Sequence, residues 1–135
     1  MLRFATSDTR TLTLSDGDTL TVKARLTHGE VQAMFARMYG IQEGQTVILP
    51  QSADALIVAY LVEWSAKDEQ GRPVSLRGLS PSEVQDRLDA LEHDGVLEIR
   101  AAIKEHEQAM RDEVAALKKT AGGATASRPT LQSVG

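Results

Sequence analysis

Histidines are the first residues to test for chemistry, and this chain has His28, His93 and His106. A zinc or general-base site brings two or more such groups to one face, as two histidines four apart on a helix do. No HExxH pattern occurs, and His106, although followed by Glu107, has no second histidine four positions on. The three read as surface or helix-flank histidines. Asp16-Gly17-Asp18 sets two carboxylates around a glycine, but the other oxygen ligands of a calcium loop are missing, and a hairpin turn explains the triplet. Ser65, Ser75 and Ser80 lack the GxSxG setting of an activated serine, and no Gly-rich phosphate loop is present. Asp68-Glu69, just before Gly71, reads as a solvated turn rather than an acid/base pair. No catalytic residue, metal site or cofactor is expected, and the chain is not read as an enzyme.

Composition narrows the classes further. A chain of 135 residues is long enough for one domain and a tail. Hydrophobic residues at 41% and charged ones at 25% are ordinary for a soluble globular protein, and 4% aromatics demand an aliphatic core. The absence of cysteine excludes disulfides and thiolate metal sites and fits a reducing compartment. A net charge of −4 gives no reason to expect nucleic-acid binding. The start, MLRFATSDTR, lacks a signal-peptide core, and the longest apolar run, residues 55–62, falls far short of the ~20 residues of a membrane span. A soluble, cytoplasmic protein without membrane contact is the expectation.

The elements organise around residues 53–79. Leu56, Ile57, Tyr60, Leu61 and Trp64 fall at helical spacing, so a core helix capped by Ser52 is expected to run to about Ser65. Before it, residues 11–26 alternate, with Leu12, Leu14, Leu20, Val22, Ala24 and Leu26 on one face, which predicts a β-hairpin. A three-residue loop with Gly17 left-handed pairs even positions with even ones. Thr27 and Glu30 form a capping box for a helix with the stripe Val31, Met34, Phe35 and Met38, which Gly40 is expected to stop in the left-handed region. A connector at 42–50 contains one short extended piece, 46–49. Ser80, Pro81 and Glu83 start another helix, with Val84, Leu88 and Leu91 inward. That helix should break at His93-Asp94-Gly95, where Asp94 can cap the next. The predicted fold is mainly α: an N-terminal β-hairpin and about four helices, the last long and amphipathic. The domain should span 1–120, with 121–135 (AGGATASRPTLQSVG) a disordered tail.

The last helix carries the most suggestive surface. Val96, Ile99, Ile103, Met110, Val114 and Leu117 make a narrow stripe, with His106 filling one step, over ~25 residues or ~37 Å. Short helices in so small a domain should leave its second half bare, so Ile103, Met110, Val114 and Leu117 are the candidate partner-binding residues. Neither Met110 nor Leu117 is assigned to the core; the partner is either another copy or a different protein, and a homo-oligomer is expected. Residues 83–113 hold ten acidic and four basic side chains, about −6. The plain reading of that run is a solvated helix face; the sharper one is a docking surface for a basic partner around Asp86, Asp89 and Glu92.

One stretch resembles a known family. Tyr60-Leu61-Val62-Glu63-Trp64-Ser65 is followed by Asp68-Glu69-Gln70-Gly71-Arg72-Pro73-Val74, then by Leu88, Leu91, Ile99, Ala102, Ile103 and Lys104-Glu105-His106-Glu107. With residues 22–30 upstream, this looks like a tail assembly chaperone of long-tailed bacteriophages, over about residues 20–117. The resemblance implies a non-enzymatic protein of the infected cell's cytoplasm, absent from the finished virion. It implies binding and solubilising of the tape measure protein, and recruitment of tail tube subunits. It often goes with a longer, frameshifted form of the same gene product. The alternative is a structural virion component, a minor tail or connector protein. Within the shared motif Trp64 is expected to pin the turn to the core. Asp68 opens the acidic turn, Gly71 allows a positive φ, and Pro73 fixes the exit.

Overall fold

The computed structural model describes residues 2–125, with side chains to residue 119. Strands β1 (Thr9–Thr13) and β2 (Thr19–Lys23) pair antiparallel with Leu12 opposite Leu20 and Thr13 opposite Thr19. The even-with-even register and the three-residue loop are as the alternation predicts, with Gly17 at φ 94°. Helix α1 (His28–Met38) starts at the full Thr27–Glu30 capping box. It runs directly into β3 (Tyr39–Gln42), which pairs with β4 (Gln45–Ile48). A 3-10 turn, Ser52–Asp54, leads into α2 (Ala55–Tyr60), and the chain then becomes strand β5 (Leu61–Trp64). Helix α3 (Pro81–Asp89) starts at the predicted Ser80–Glu83 capping box, and α4 spans His93–Thr125.

The mainly α expectation is therefore wrong. With 47% helix, 20% strand and two antiparallel sheets, this is a small mixed α/β fold. The expected core helix is the main error. It ends at Tyr60, and Leu61–Trp64 joins the sheet in the order β1-β2-β5. Ile57, Tyr60, Leu61 and Trp64 are buried, as a helix would have had them, so the apolar spacing does not distinguish the two conformations. What decides it is the second edge of β2, whose peptide groups need a partner. β5 supplies one, with Thr21 opposite Glu63, Val22 opposite Leu61, and Val62 bulged between them. Ser52 does not cap α2; it opens the 3-10 turn, and α2 has no side-chain cap.

Three boundaries also shift. Gly40 is not a left-handed stop: Tyr39 is already extended (φ −129°) and Gly40 sits in β3 opposite Val47. Its bare Cα makes room for Leu49, whose Cδ2 would lie 2.9 Å from an added Cβ. The left-handed residues are Glu43 and Gly44, in a two-residue hairpin turn. The break between the last two helices falls at residues 90–92 rather than at 93–95, so Asp94 lies inside the first turn of α4 rather than capping it. Residues 121–125 are helical where the disordered tail was expected to begin; the rest of that expectation, 126–135, lies outside the described residues.

The main core joins Leu20 and Val22 of β2, Ile57 and Tyr60 of α2, Leu61 and Trp64 of β5, Val84 and Leu88 of α3, and Val96, Ile99 and Ile103 of α4. A second cluster sets Met34 of α1 against Ala55 and Ala59, whose small side chains bring α1 close to α2. Asp54 ties the helices together: it pairs with Arg100 at 3.1 Å and accepts from the Gln85 amide at 2.8 Å.

Candidate docking site

Residues that might have done chemistry are engaged in structure. His28 and His93 are exposed at two helix starts, and His106 is buried in α4, contrary to the surface or flank reading. Its Nε2 lies 3.0 Å from the Lys23 carbonyl oxygen, to which it donates, just beyond the last β2–β5 pair. Its ring meets Tyr60 edge-on at 5.8 Å. Asp18 is taken by the Ser65 hydroxyl at 2.9 Å, and Asp16 accepts from the Asp18 amide. The Ser75 hydroxyl donates to Glu63 at 2.7 Å, and Ser80 is a helix cap. Among the described residues, no group of three or more His, Cys, Asp or Glu side chains is placed to hold a metal. Among the same residues, no helix is long and apolar enough to cross a membrane.

The motif that carries the family resemblance builds a pinned turn. Trp64, at the end of β5, is buried, and its indole Nε1 donates to the Val74 carbonyl at 2.6 Å. Between these ends the Val74 amide donates to Ala66, and Lys67 bridges to Pro73. The Asp68 carboxylate accepts from the Gln70 and Arg72 amides, both at 2.9 Å, and Gly71 takes φ 77°. Glu63 fastens the far side, accepting from the Leu76 amide at 2.8 Å and from Ser75. Burial works against its ionisation, yet these donors and Arg77 outweigh burial and hold its carboxyl below the ordinary value.

The candidate partner-binding residues divide. Ile103 is fully buried and offers no surface; Met110 is 8% exposed, so the expectation that it lies outside the core is wrong. Cover comes from a quarter that helix counting ignored. The stretch after β2, with Ala24 and Leu26, runs beside α4 near His106 and Met110. Val114 is half-buried, and Leu117 is 63% exposed.

Where that cover ends, a groove of about 530 Å³ opens between α1 and the far part of α4. Met34 and Met110 are its buried floor, and Val31, Phe35 and Val114 line it nearer the solvent. Sequence reasoning put Val31, Met34 and Phe35 in a buried stripe; Phe35 is instead 49% exposed. Periodicity shows that a face is apolar, not whether anything covers it. Arg25, Arg111, Lys118 and Glu107 are the charged groups of the lining, a surplus of two positive charges on a chain whose net charge is −4. Glu107 is held by Arg111 at 3.1 Å and faces the Tyr60 hydroxyl at 3.4 Å. Burial, reinforced by the Glu107 charge, pushes Tyr60 up to about 12, so its hydroxyl stays a donor. The acidic residues Asp86 and Asp89 are exposed on α3, and Glu92 is exposed in the break after it. This arrangement can bind an amphipathic helix, with two adaptable methionines beneath it and cations at its border. Comparison with known proteins finds no match: no family model, no curated protein and no solved structure.

Proposed function

We propose that this chain is a non-enzymatic tail assembly chaperone of a long-tailed phage, which binds the tape measure protein in the host cytoplasm and keeps it soluble. The reading rests on the resemblance carried by residues 60–74 and 88–107. The observation that supports it here is the open apolar groove between α1 and α4. A tape measure protein is a long helical client whose apolar stripes aggregate when bare. One such stripe laid over Met34 and Met110 would be shielded from other copies, and the basic border would favour acidic flanks. Recruitment of tail tube subunits, and absence from the finished virion, belong to the same proposal.

The test is co-expression with the tape measure protein of the same phage. Wild type should hold the client in the soluble fraction. Val114→Glu combined with Leu117→Glu should lose that ability while keeping the native circular dichroism, since neither side chain is part of the core. A client that stays soluble with the folded double variant removes the groove from the account. Recovery of the chain from purified particles in fixed copy number would make it a structural tail component instead.

A further inference from the structure

The charge surplus of the groove is carried by two side chains. Among its lining cations Arg111 is paired with Glu107, while Arg25 and Lys118 make no ion pair among the described residues. Cations nearby do: Arg10 pairs with Glu113 at 3.9 Å, and Lys23 pairs with Glu30. Arg25 and Lys118 are both exposed and belong to neither core cluster. They stand at opposite ends of the apolar floor. The Lys23 carbonyl meets His106, and Arg25 borders both the groove and the hollow beside it together with Met110, which puts Arg25 at the near end. Lys118 follows Met110 on α4 by ~12 Å along the helix axis, with Val114 in the interval.

We infer that the groove selects its client by charge spacing. The helix it takes has two carboxylates seven positions apart, with apolar residues at the third and fourth positions between them. Those four positions share one helix face, and seven residues span ~10.5 Å, a difference from ~12 Å that long side chains absorb. The apolar pair then rests on Met34, Met110 and Val114, and each carboxylate meets a cation that has no partner of its own. Two unpaired cations at a set spacing favour this occupant over a neutral or a basic helix. On a chain of net charge −4 that preference is local to the groove. The inference rests on the groove reading and adds to it which helices are taken.

Fluorescence anisotropy with labelled synthetic helices of about 20 residues tests it. One peptide carries leucines at the third and fourth positions between two glutamates seven apart; a second has glutamines in place of the glutamates, and a third has lysines. At low salt wild type should bind the glutamate peptide roughly 2–30-fold tighter than the glutamine one and the lysine peptide most weakly, with the gaps closing at high salt. Arg25→Glu with Lys118→Glu should reverse that order. If this variant loses its native circular dichroism, Arg25→Gln with Lys118→Gln replaces it and should level the order. Three peptides bound alike by wild type overturn the inference; if Val114→Glu with Leu117→Glu then abolishes binding, the groove itself stands. A glutamate preference that survives in a folded Arg25 and Lys118 variant also overturns it and assigns the recognition to other cations. So does a glutamate pair three apart that binds as tightly as the pair seven apart. No binding of any peptide overturns this inference and the groove reading together. Self-association of the wild type that the charge-reversed variant abolishes would give the groove to an acidic helix of a second copy, and would overturn the client proposal.

Discussion

Replacing Trp64 tests how the shared motif is built. Its indole is 9% exposed, sits in the main core cluster, and donates to the Val74 carbonyl at 2.6 Å. Trp64→Phe keeps an aromatic ring but removes the donor. The loss of one hydrogen bond, with the Val74 carbonyl left short of a partner, costs ~1–3 kcal/mol. Trp64→Ala adds a cavity, and a large aromatic-to-alanine change in a core costs ~3–5 kcal/mol. Against the ~5–15 kcal/mol that holds a typical domain, the alanine variant should be destabilised by a third or more, and in a marginal domain unfolded. Urea titration followed by far-ultraviolet circular dichroism is the assay, because the variants lack the only tryptophan. In the wild type, native emission should be that of a buried indole. A phenylalanine variant within ~0.3 kcal/mol of wild type, or water-exposed emission from the native protein, would refute the pinning role.

Acid should unfold the protein in part through Glu63, Glu30 and Glu83, each held below its ordinary 4.5 in the fold. A lowered folded value means stability is present above about 4.5 and is lost as pH falls through the folded values. Glu63→Gln should therefore lose less stability than wild type between about pH 6 and about pH 3.5 in urea titrations; an equal loss would contradict its assigned contacts. His106→Leu should cost ~1–3 kcal/mol by leaving the Lys23 carbonyl, which β5 does not reach, without its donor. An unchanged urea midpoint for that variant would show that the buried histidine is not holding α4 to β2.

Local signals were legible in the sequence. Both capping boxes and the three-residue hairpin loop involve groups within a few residues of one another, and each forms as the spacing predicts. Residues 61–64 were not legible, because helix and strand bury the same side chains there and the choice belongs to the free edge of β2. His106 was misread for a similar reason: its partner carbonyl lies 83 positions away. Ile103, Met110, Val114 and Leu117 were legible as one stripe. Which of them meet the groove depends on where α1 and the stretch after β2 lie, so the docking surface begins at Met110 rather than at Ile103. The β3–β4 ribbon was hidden because Gly40 looks like a helix stop, when its absent side chain instead makes room for Leu49.

The groove itself is most directly tested by hydrogen exchange on the chain alone and in complex with the tape measure protein. The account predicts new protection on both walls, over residues 31–35 and 110–118, with little change around Asp86, Asp89 and Glu92. Protection confined to that acidic segment, or no complex at all, would contradict it.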